Sequence, residues 1–206
     1  MPSKQDFLKH LVQQKFPRGN HGKVSFQDLH HSVLLDEARD IYKKLGGQLT
    51  EVPIRYGPWD IATRDFIIEL DEERHFNRYR LLTLQSKLYD NNPSFSVKDY
   101  RSWCADREPE CLKSASFGGY WKNNASEKMF LPGEPNGSLK NNGSSRWRQR
   151  AYYDFLKDLS AKITDIPVIR ISTYECFGGF TVNHILKQKD NVLALKLVEE
   201  KIKRYG

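Results

Sequence analysis

The chain has 206 residues, enough for one domain with its own core, and no stretch approaches the roughly 20 apolar residues of a bilayer-spanning helix. Its net charge of +7 favours a polyanionic partner. The three cysteines, Cys104, Cys111 and Cys176, form no close pair, which argues against a disulfide framework and against a zinc site.

The N-terminal sequence lacks the apolar run and small-residue cleavage site of a signal peptide. We therefore expect a cytoplasmic protein that does not enter the membrane. Residues 1–206 are predicted to form one domain, in which residues 1–31 are an N-terminal extension and residues 90–145 are an insertion.

Apolar periodicity predicts alternating helices and strands. The predicted helices, in chain order, are Gln5–Lys15, Ser32–Leu45, Arg78–Tyr89, Arg146–Ile163 and Asn191–Tyr205. The predicted strands are Gln48–Arg55, Trp59–Ala62, Phe66–Asp71 and Ile166–Ser172. Gly46 and Gly47 end the second helix, and Gly178 and Gly179 are predicted to form a turn. This order is typical of an α/β fold with a mixed central sheet flanked by helices.

The end of the insertion and the start of the next helix form a basic stretch, residues 137–150, which contains no acidic residue. Its basic residues are Lys140, Arg146, Arg148 and Arg150, and Trp147 lies between Arg146 and Arg148 in the sequence. Paired arginines beside an indole suit phosphate contact and base stacking, so these five residues are predicted to bind nucleic acid. A charged helix start with one aromatic anchor is the alternative reading.

Acidic residues concentrate in one place, with five of the nine residues from Asp65 to Glu73 carrying a carboxylate. In a strand, Glu69 and Asp71 share one face, with their side chains roughly 7 Å apart. Asp60 lies on the preceding strand and can approach Glu69 laterally. Converging carboxylates are costly unless a cation relieves them, and a hard divalent ion takes oxygen ligands.

Such a cluster suits phosphodiester hydrolysis, in which a metal stabilises charge on the phosphoryl oxygen. The alternative is a set of solvated strand-end charges paired with Arg64, Arg74 or Arg78.

Three segments in this region resemble the PD-(D/E)xK nucleases, and most closely the short-patch-repair and phage-type small endonucleases. They are Asp60-Ile61-Ala62, the strand from Phe66 to Asp71, and Glu73-Arg74-His75-Phe76. Two later segments follow in the same order, namely the Asp154-x-x-Lys157 spacing and the strand Ile166–Ile171. The resemblance covers roughly residues 32–89 and 146–173, and not the insertion between them.

The resemblance implies a restriction endonuclease-like fold and a magnesium-dependent endonuclease, with Mn²⁺ able to replace Mg²⁺. By it, Asp60 and Glu69 are metal ligands, Asp71 is an additional acidic ligand, and Glu37 approaches the same ion. His75 would position water or phosphate, and Lys157 would contact phosphate or water. The expected substrate is double-stranded DNA, cut by a homodimer of the type II restriction kind in which the insertion contacts DNA.

One departure from the family pattern stands out. The lysine expected two residues after Glu69 is Asp71 here, so Lys157 or Lys87 would have to replace it. Two further hypotheses follow: a catalytically inactive relative that binds nucleic acid or a protein, and a nuclease for RNA or for branched or nicked DNA.

Overall fold

The computed structural model of the chain describes residues 3–30, 32–90 and 94–204. In these ranges the fold is mixed α/β, with more helix than strand. The helices are α1 (Lys4–Lys15), α2 (Phe26–Leu29), α3 (Val33–Lys44), α4 (Arg78–Thr83), α5 (Val97–Asp106), α6 (Glu108–Ala115), α7 (Gly118–Trp121), α8 (Asn124–Met129), α9 (Ser145–Thr164), α10 (Val182–Gln188) and α11 (Asn191–Lys203). The strands are β1 (Ile61–Ala62), β2 (Ile67–Asp71), β3 (Val168–Ser172), β4 (Cys176–Phe177) and β5 (Phe180–Thr181), and short 3-10 helices span Glu73–His75 and Lys87–Tyr89.

The central sheet has the order β1-β2-β3 and is mixed. Strand β1 runs antiparallel to β2, whereas β3 runs parallel to β2 in a register that places Glu69 beside Arg170. Strands β4 and β5 form a separate hairpin. Its turn residues, Gly178 and Gly179, have φ values of 57° and 83°, a region that favours glycine, so the predicted turn is confirmed.

The two faces of the sheet differ sharply in polarity because side chains alternate along each strand. On one face, Ile68, Leu70, Ile169 and Ile171 pack in an apolar cluster with residues of α1, α10 and α11. The opposite face carries the charged side chains of β2 and β3, which meet α9. A second, larger apolar cluster joins α3, α5 and α9. The sheet therefore lies between an apolar layer and a charged one.

Helix α1 is an integral part of the domain rather than a peripheral extension. It begins with a capping box in which the Ser3 side chain accepts from the Asp6 backbone N–H. Its residues Leu8 and Val12 are fully buried in the same cluster as the apolar face of the sheet. Helix α1 is thus folded onto the sheet, whereas Val24 and Leu29 are buried in the larger apolar cluster.

Most of the strongly periodic elements are confirmed. These are the helices predicted at Gln5–Lys15, Ser32–Leu45 and Arg146–Ile163, and the strands that correspond to β2 and β3. The predicted C-terminal helix is also present, although its expected last residue, Tyr205, lies outside the described residues. In each case a continuous apolar stripe packs against a neighbouring element.

Two predicted elements are wrong. Residues 48–55 form no strand, because their alternation meets no partner strand, and Leu49 points to solvent with 42% of its surface exposed. The helix predicted over Arg78–Tyr89 ends at Thr83, and a 3-10 turn follows.

The insertion contains short helices. Described residues 94–145 contain α5 to α8, and Trp121 from this region packs edge-to-face on Trp147 of α9 with ring centroids 5.2 Å apart. The insertion therefore helps to anchor α9.

Across the described ranges, no helix combines the length and apolar character needed to cross a membrane. The three cysteines are free thiols, as expected, with Cys104 and Cys111 buried and Cys176 exposed.

The charged layer is centred on Arg170, whose side chain is fully buried in β3. Its Nη1 donates to both carboxylate oxygens of Asp71, at 2.7 and 2.9 Å. Its Nε donates to Asp158 at 2.5 Å, and its Nη2 donates to the carbonyl oxygen of Asp154 at 3.0 Å. One guanidinium thereby links β2, β3 and α9 and satisfies groups that water cannot reach.

Replacing Arg170 with leucine should lower the free energy of unfolding by about 3–5 kcal/mol, because buried carboxylates would lose their counter-charge. Urea denaturation monitored by circular dichroism measures this. Arg39→Leu, at an exposed ion pair with Asp36, is the control and should change stability by less than about 0.5 kcal/mol. Equal stability of the two variants would show that Arg170 does not hold the layer together.

Candidate functional site

Helix α9 supplies one wall of the candidate site. Its first turn is capped by the Ser144 side chain, which accepts from the Trp147 backbone N–H, and its apolar face is buried in the larger cluster. Asp154, Lys157 and Asp158 lie on the face toward the sheet, as their spacing of three and four residues requires. The sheet provides the other wall through Glu69 and Asp71.

Three of the predicted site residues converge at the start of this layer. Lys157 Nζ donates to Glu69 Oε2 at 2.5 Å and to the carbonyl oxygen of Pro58 at 2.9 Å. The backbone N–H of Asp60 donates to Glu69 Oε1 at 3.1 Å. The Asp60 carboxylate in turn accepts from Gln5 of α1 and from the backbone N–H of Leu70. Two acids and a lysine from separate parts of the chain thus meet at one point.

Burial sets the protonation of this group. Glu69 is 1% exposed, and desolvation raises the pKa of its carboxyl to about 7 despite the opposing charge of Lys157. Desolvation likewise raises the pKa of Asp60, against the effect of Lys157. For Lys157, burial lowers the pKa, but the carboxylates of Glu69 and Asp60 outweigh that effect and raise it. The lysine therefore stays protonated at neutral pH.

A second group lies farther along the same face, at the carboxyl end of β2. His75 Nδ1 lies 2.8 Å from Asp154 Oδ2 and 3.3 Å from Asp71 Oδ1. Asp71 also accepts from the hydroxyl of Tyr100 at 2.9 Å and from Arg170. Asp71, predicted as an extra ligand, is thus shared between a histidine, a tyrosine and an arginine.

The hydrogen bond to Asp154 fixes the tautomer of His75. A carboxylate only accepts, so the proton of the His75 ring lies on Nδ1 and Nε2 is left to face another partner. Among the described residues nothing hydrogen-bonds Nε2, and 22% of the His75 side chain is exposed. Burial lowers the pKa of His75, but Asp154 and Asp71 outweigh it and raise the pKa. Desolvation raises the pKa of Asp154, but the charges of His75 and Arg170 outweigh it and lower the pKa.

Sequence reasoning missed several residues that shape the site. Asp158 accepts from Arg80 at 2.8 Å and from the Tyr89 hydroxyl at 2.7 Å, in addition to its bond with Arg170. The Asp-x-x-Lys spacing on α9 pointed to Asp154 but gave it no role. Nothing in the local sequence marked Arg80 or Tyr100, because their partners lie 78 and 29 residues away.

Glu37 lies elsewhere. Its carboxylate accepts from the Ser86 hydroxyl at 2.7 Å, and within the described residues no hydrogen bond or ion pair connects it to Asp60, Glu69 or Asp71. Its contact joins α3 to the loop after α4. The structure does not bring Glu37 into the acidic group.

The basic stretch is largely used inside the protein. Trp147 is fully buried and its indole N–H donates to Ala115, so it presents no free face for base stacking. Arg148 donates to the carbonyl oxygens of Asn142 and Leu45 and lies over the Tyr79 ring, 4.6 Å from its centre. These contacts correct the expectation that both residues face a nucleic acid.

All four basic residues of that stretch keep some exposure to solvent. Lys140 is exposed, whereas Arg146, Arg148 and Arg150 are partly buried on α9. Arg146 donates to Gln149 at 2.5 Å, and Arg150 donates to the carbonyl oxygen of Arg74 at 3.3 Å.

Two sets of side chains have the chemistry to hold a divalent ion. Asp60 and Glu69 offer only oxygen, which suits Mg²⁺, and each of their carboxylate oxygens accepts a single hydrogen bond. Asp71, His75 and Asp154 each offer a ligand atom within 4.8 Å of the others, and their mixed nitrogen and oxygen set suits Mn²⁺ or Zn²⁺. A cationic side chain already contacts each set, Lys157 at the first and Arg170 at the second, so only the all-oxygen donors of the first set favour Mg²⁺ there.

Comparison with known proteins identifies a family. Residues 40–188 match the profile of a family described as a family of unknown function, DUF7255, and the chain belongs to it. No curated protein and no solved structure gives a significant match. The matched range includes Asp60, Glu69, His75, Lys157 and Arg170, and it excludes Glu37 together with helices α1 and α11.

The raised pKa of Glu69 predicts a pH-dependent stability difference between the protein and its Glu69→Gln variant. Because this pKa is about 7 in the folded state against an ordinary 4.5, the folded state binds the proton more tightly. The stabilising contribution is therefore fully present below pH 4.5 and is lost as the pH rises to 7. The free energy of unfolding of the wild type, relative to the variant, should fall by about 3 kcal/mol over this interval. Urea denaturation in EDTA at several pH values measures it, and a difference independent of pH would contradict the assignment.

Proposed function

We propose that the protein is a metal-dependent endonuclease of the PD-(D/E)xK type that hydrolyses phosphodiester bonds in double-stranded DNA. The observation that carries this proposal is the contact between Lys157 and Glu69. Lys157 of α9 contacts Glu69, which also accepts from the backbone N–H of Asp60. It can thus replace the lysine that the family pattern places on β2, where this chain has Asp71. The restriction endonuclease-like fold, with its central mixed sheet, is part of the same proposal.

Asp60 and Glu69 would hold the ion, which when bound stabilises negative charge on the phosphoryl oxygen. Lys157 forms an ion pair with Glu69 and would add positive charge beside the ion. His75 is held by Asp154 through Nδ1 and, in its neutral form, can accept a proton from water at Nε2. The carboxylates that raise its pKa make that neutral ring a stronger base.

A catalytically inactive relative is the second candidate, and one observation favours it. All four carboxylate oxygens of Asp60 and Glu69 already accept a hydrogen bond, and Glu69 is almost fully buried. Carboxylates whose oxygens are all hydrogen-bonded within the protein can stabilise the fold without binding a metal ion. In that case the protein would bind nucleic acid or a partner protein without cutting.

Incubation of supercoiled plasmid with the protein and Mg²⁺ separates the candidates. We expect cleavage that EDTA abolishes and that Mn²⁺ restores. Glu69→Gln should reduce the cleavage rate by 100-fold or more, on the order expected when a metal ligand is lost. Asp65→Asn, an exposed acid of the same segment, is the control and should cut at the wild-type rate.

Discrete fragments would agree with sequence-specific cutting, and nicking alone would favour a nuclease for branched or nicked DNA. If DNA is bound but stays intact with Mg²⁺, Mn²⁺ and RNA or branched substrates alike, the inactive candidate is correct. If Glu69→Gln cuts as fast as the wild type, the site is elsewhere.

The Asp154–His75 pair predicts a separate loss. Asp154→Asn should slow cleavage by about 100-fold or more, because an amide that donates would favour the wrong tautomer of His75. Asp158→Asn, one turn farther along α9, removes a comparable buried charge without touching His75 and is the control. Single-turnover rates at saturating DNA measure the effect. Equal rates for the two variants would exclude a role for the pair in proton transfer.

A further inference from the structure

Three arginines gather beside His75, at the N-terminal half of α9. Arg146 and Arg150 lie one turn apart on that helix, and Arg150 donates to the backbone carbonyl oxygen of Arg74, the residue directly before His75. We call Arg74, Arg146 and Arg150 the arginine cluster. Its members come from two segments that are more than 70 residues apart in the sequence.

The arginine cluster lacks compensating carboxylates. In the described part of the chain, none of its members forms an ion pair with an acid. Asp154, one turn beyond Arg150, is held by His75 and Arg170. Burial, and then the charge of Arg146, lowers the pKa of Arg150 to about 10. Like charges held together without acids favour an anion as the missing partner.

An aromatic pair lies against the same cluster. Phe117 lies directly before α7 and Tyr120 lies within it. Their side chains are 51% and 40% exposed, and their ring centroids are 5.6 Å apart. The guanidinium of Arg74 stacks on the Tyr120 ring, 4.0 Å from its centre. An exposed aromatic surface therefore lies directly beside the arginine cluster.

We propose that the arginine cluster binds a backbone phosphate of a nucleic acid strand while the ring of Phe117 stacks on an unpaired base next to it. The Tyr120 ring, at 82° to that of Phe117, would contact the edge of the same base. The inference rests on the proposed function and names its substrate class more closely. Guanidinium groups match phosphate oxygens in geometry and charge, and exposed rings bind bases through their π faces.

The base on this surface is unpaired, because inside a duplex both of its faces are covered by neighbouring bases. A single-stranded end, flap or gap exposes such a face. The substrate we infer is therefore double-stranded DNA that carries a single-stranded or locally unpaired segment beside the reacting phosphate, rather than a fully paired blunt duplex.

Binding measured in EDTA by fluorescence anisotropy tests the inference without cleavage. The probes are a labelled single strand of about 12 nucleotides, a matched strand with abasic sites, and the blunt duplex. Phe117→Ala and Tyr120→Ala should each weaken binding of the base-containing strand by about fivefold or more and leave the abasic strand unaffected. Phe180→Ala, an equally exposed phenylalanine of the β4–β5 hairpin, is the control and should bind as the wild type does.

The role of the arginines is tested by the salt dependence of the binding affinity. Arg74→Gln and Arg146→Gln should each reduce the slope of log affinity against log salt by about 0.7. Arg55→Gln, an exposed arginine on the loop before β1, should leave the slope unchanged. Equal loss for base-containing and abasic strands would overturn the stacking role, and unchanged slopes would overturn the phosphate role.

Tighter binding of the blunt duplex than of the single strand would also overturn the inference. Because these measurements need no metal, they can succeed even if the plasmid assay shows that the wild-type protein does not cut. Conversely, cleavage that depends on Glu69 would stand even if Phe117 and Tyr120 proved irrelevant.

Discussion

The structure depends on one buried guanidinium. Arg170 stands in the middle of β3, where a sheet residue facing a helix is ordinarily apolar, and it neutralises Asp71 and Asp158 and binds the backbone of Asp154. A charge in that position is costly unless every donor is satisfied. Once it is satisfied, the position of α9 relative to β2 is fixed by directional bonds rather than by apolar contact alone.

The buried cations explain why the carboxylates of β2 and α9 can lie close together without strong repulsion. Lys157 and His75 complete the neutralisation that Arg170 begins, the first at Glu69 and the second between Asp71 and Asp154. The layer is thus a set of alternating charges between the sheet and one helix. Among the described residues, Nε2 of His75 has no hydrogen-bond partner in this layer. It is therefore the atom of the layer that can exchange a proton with a bound water.

Local periodicity predicted the elements that bury a continuous stripe, such as α3, α9 and β2. It failed at Gln48–Arg55, where alternation without a partner strand makes no sheet. The short helices α5 to α8 depend on caps such as Ser96 and on packing against α9, which a periodicity window does not detect. At the site, Asp60, Glu69 and Lys157 could be named from motif spacing. The contacts of Asp71 with Arg170 and Tyr100 could not, because they span 99 and 29 residues.

Helix α9 also fixes a length. Arg150 and Lys157 are seven residues apart on one rigid helix, which corresponds to about 10 Å along its axis. A strand that rises about 3.4 Å per nucleotide covers that span in about three steps. If one phosphate lies on the arginine cluster and another at Glu69, the break would fall at a constant offset from the unpaired base. The register of the cut would then be set by the geometry of the protein and not by the base sequence.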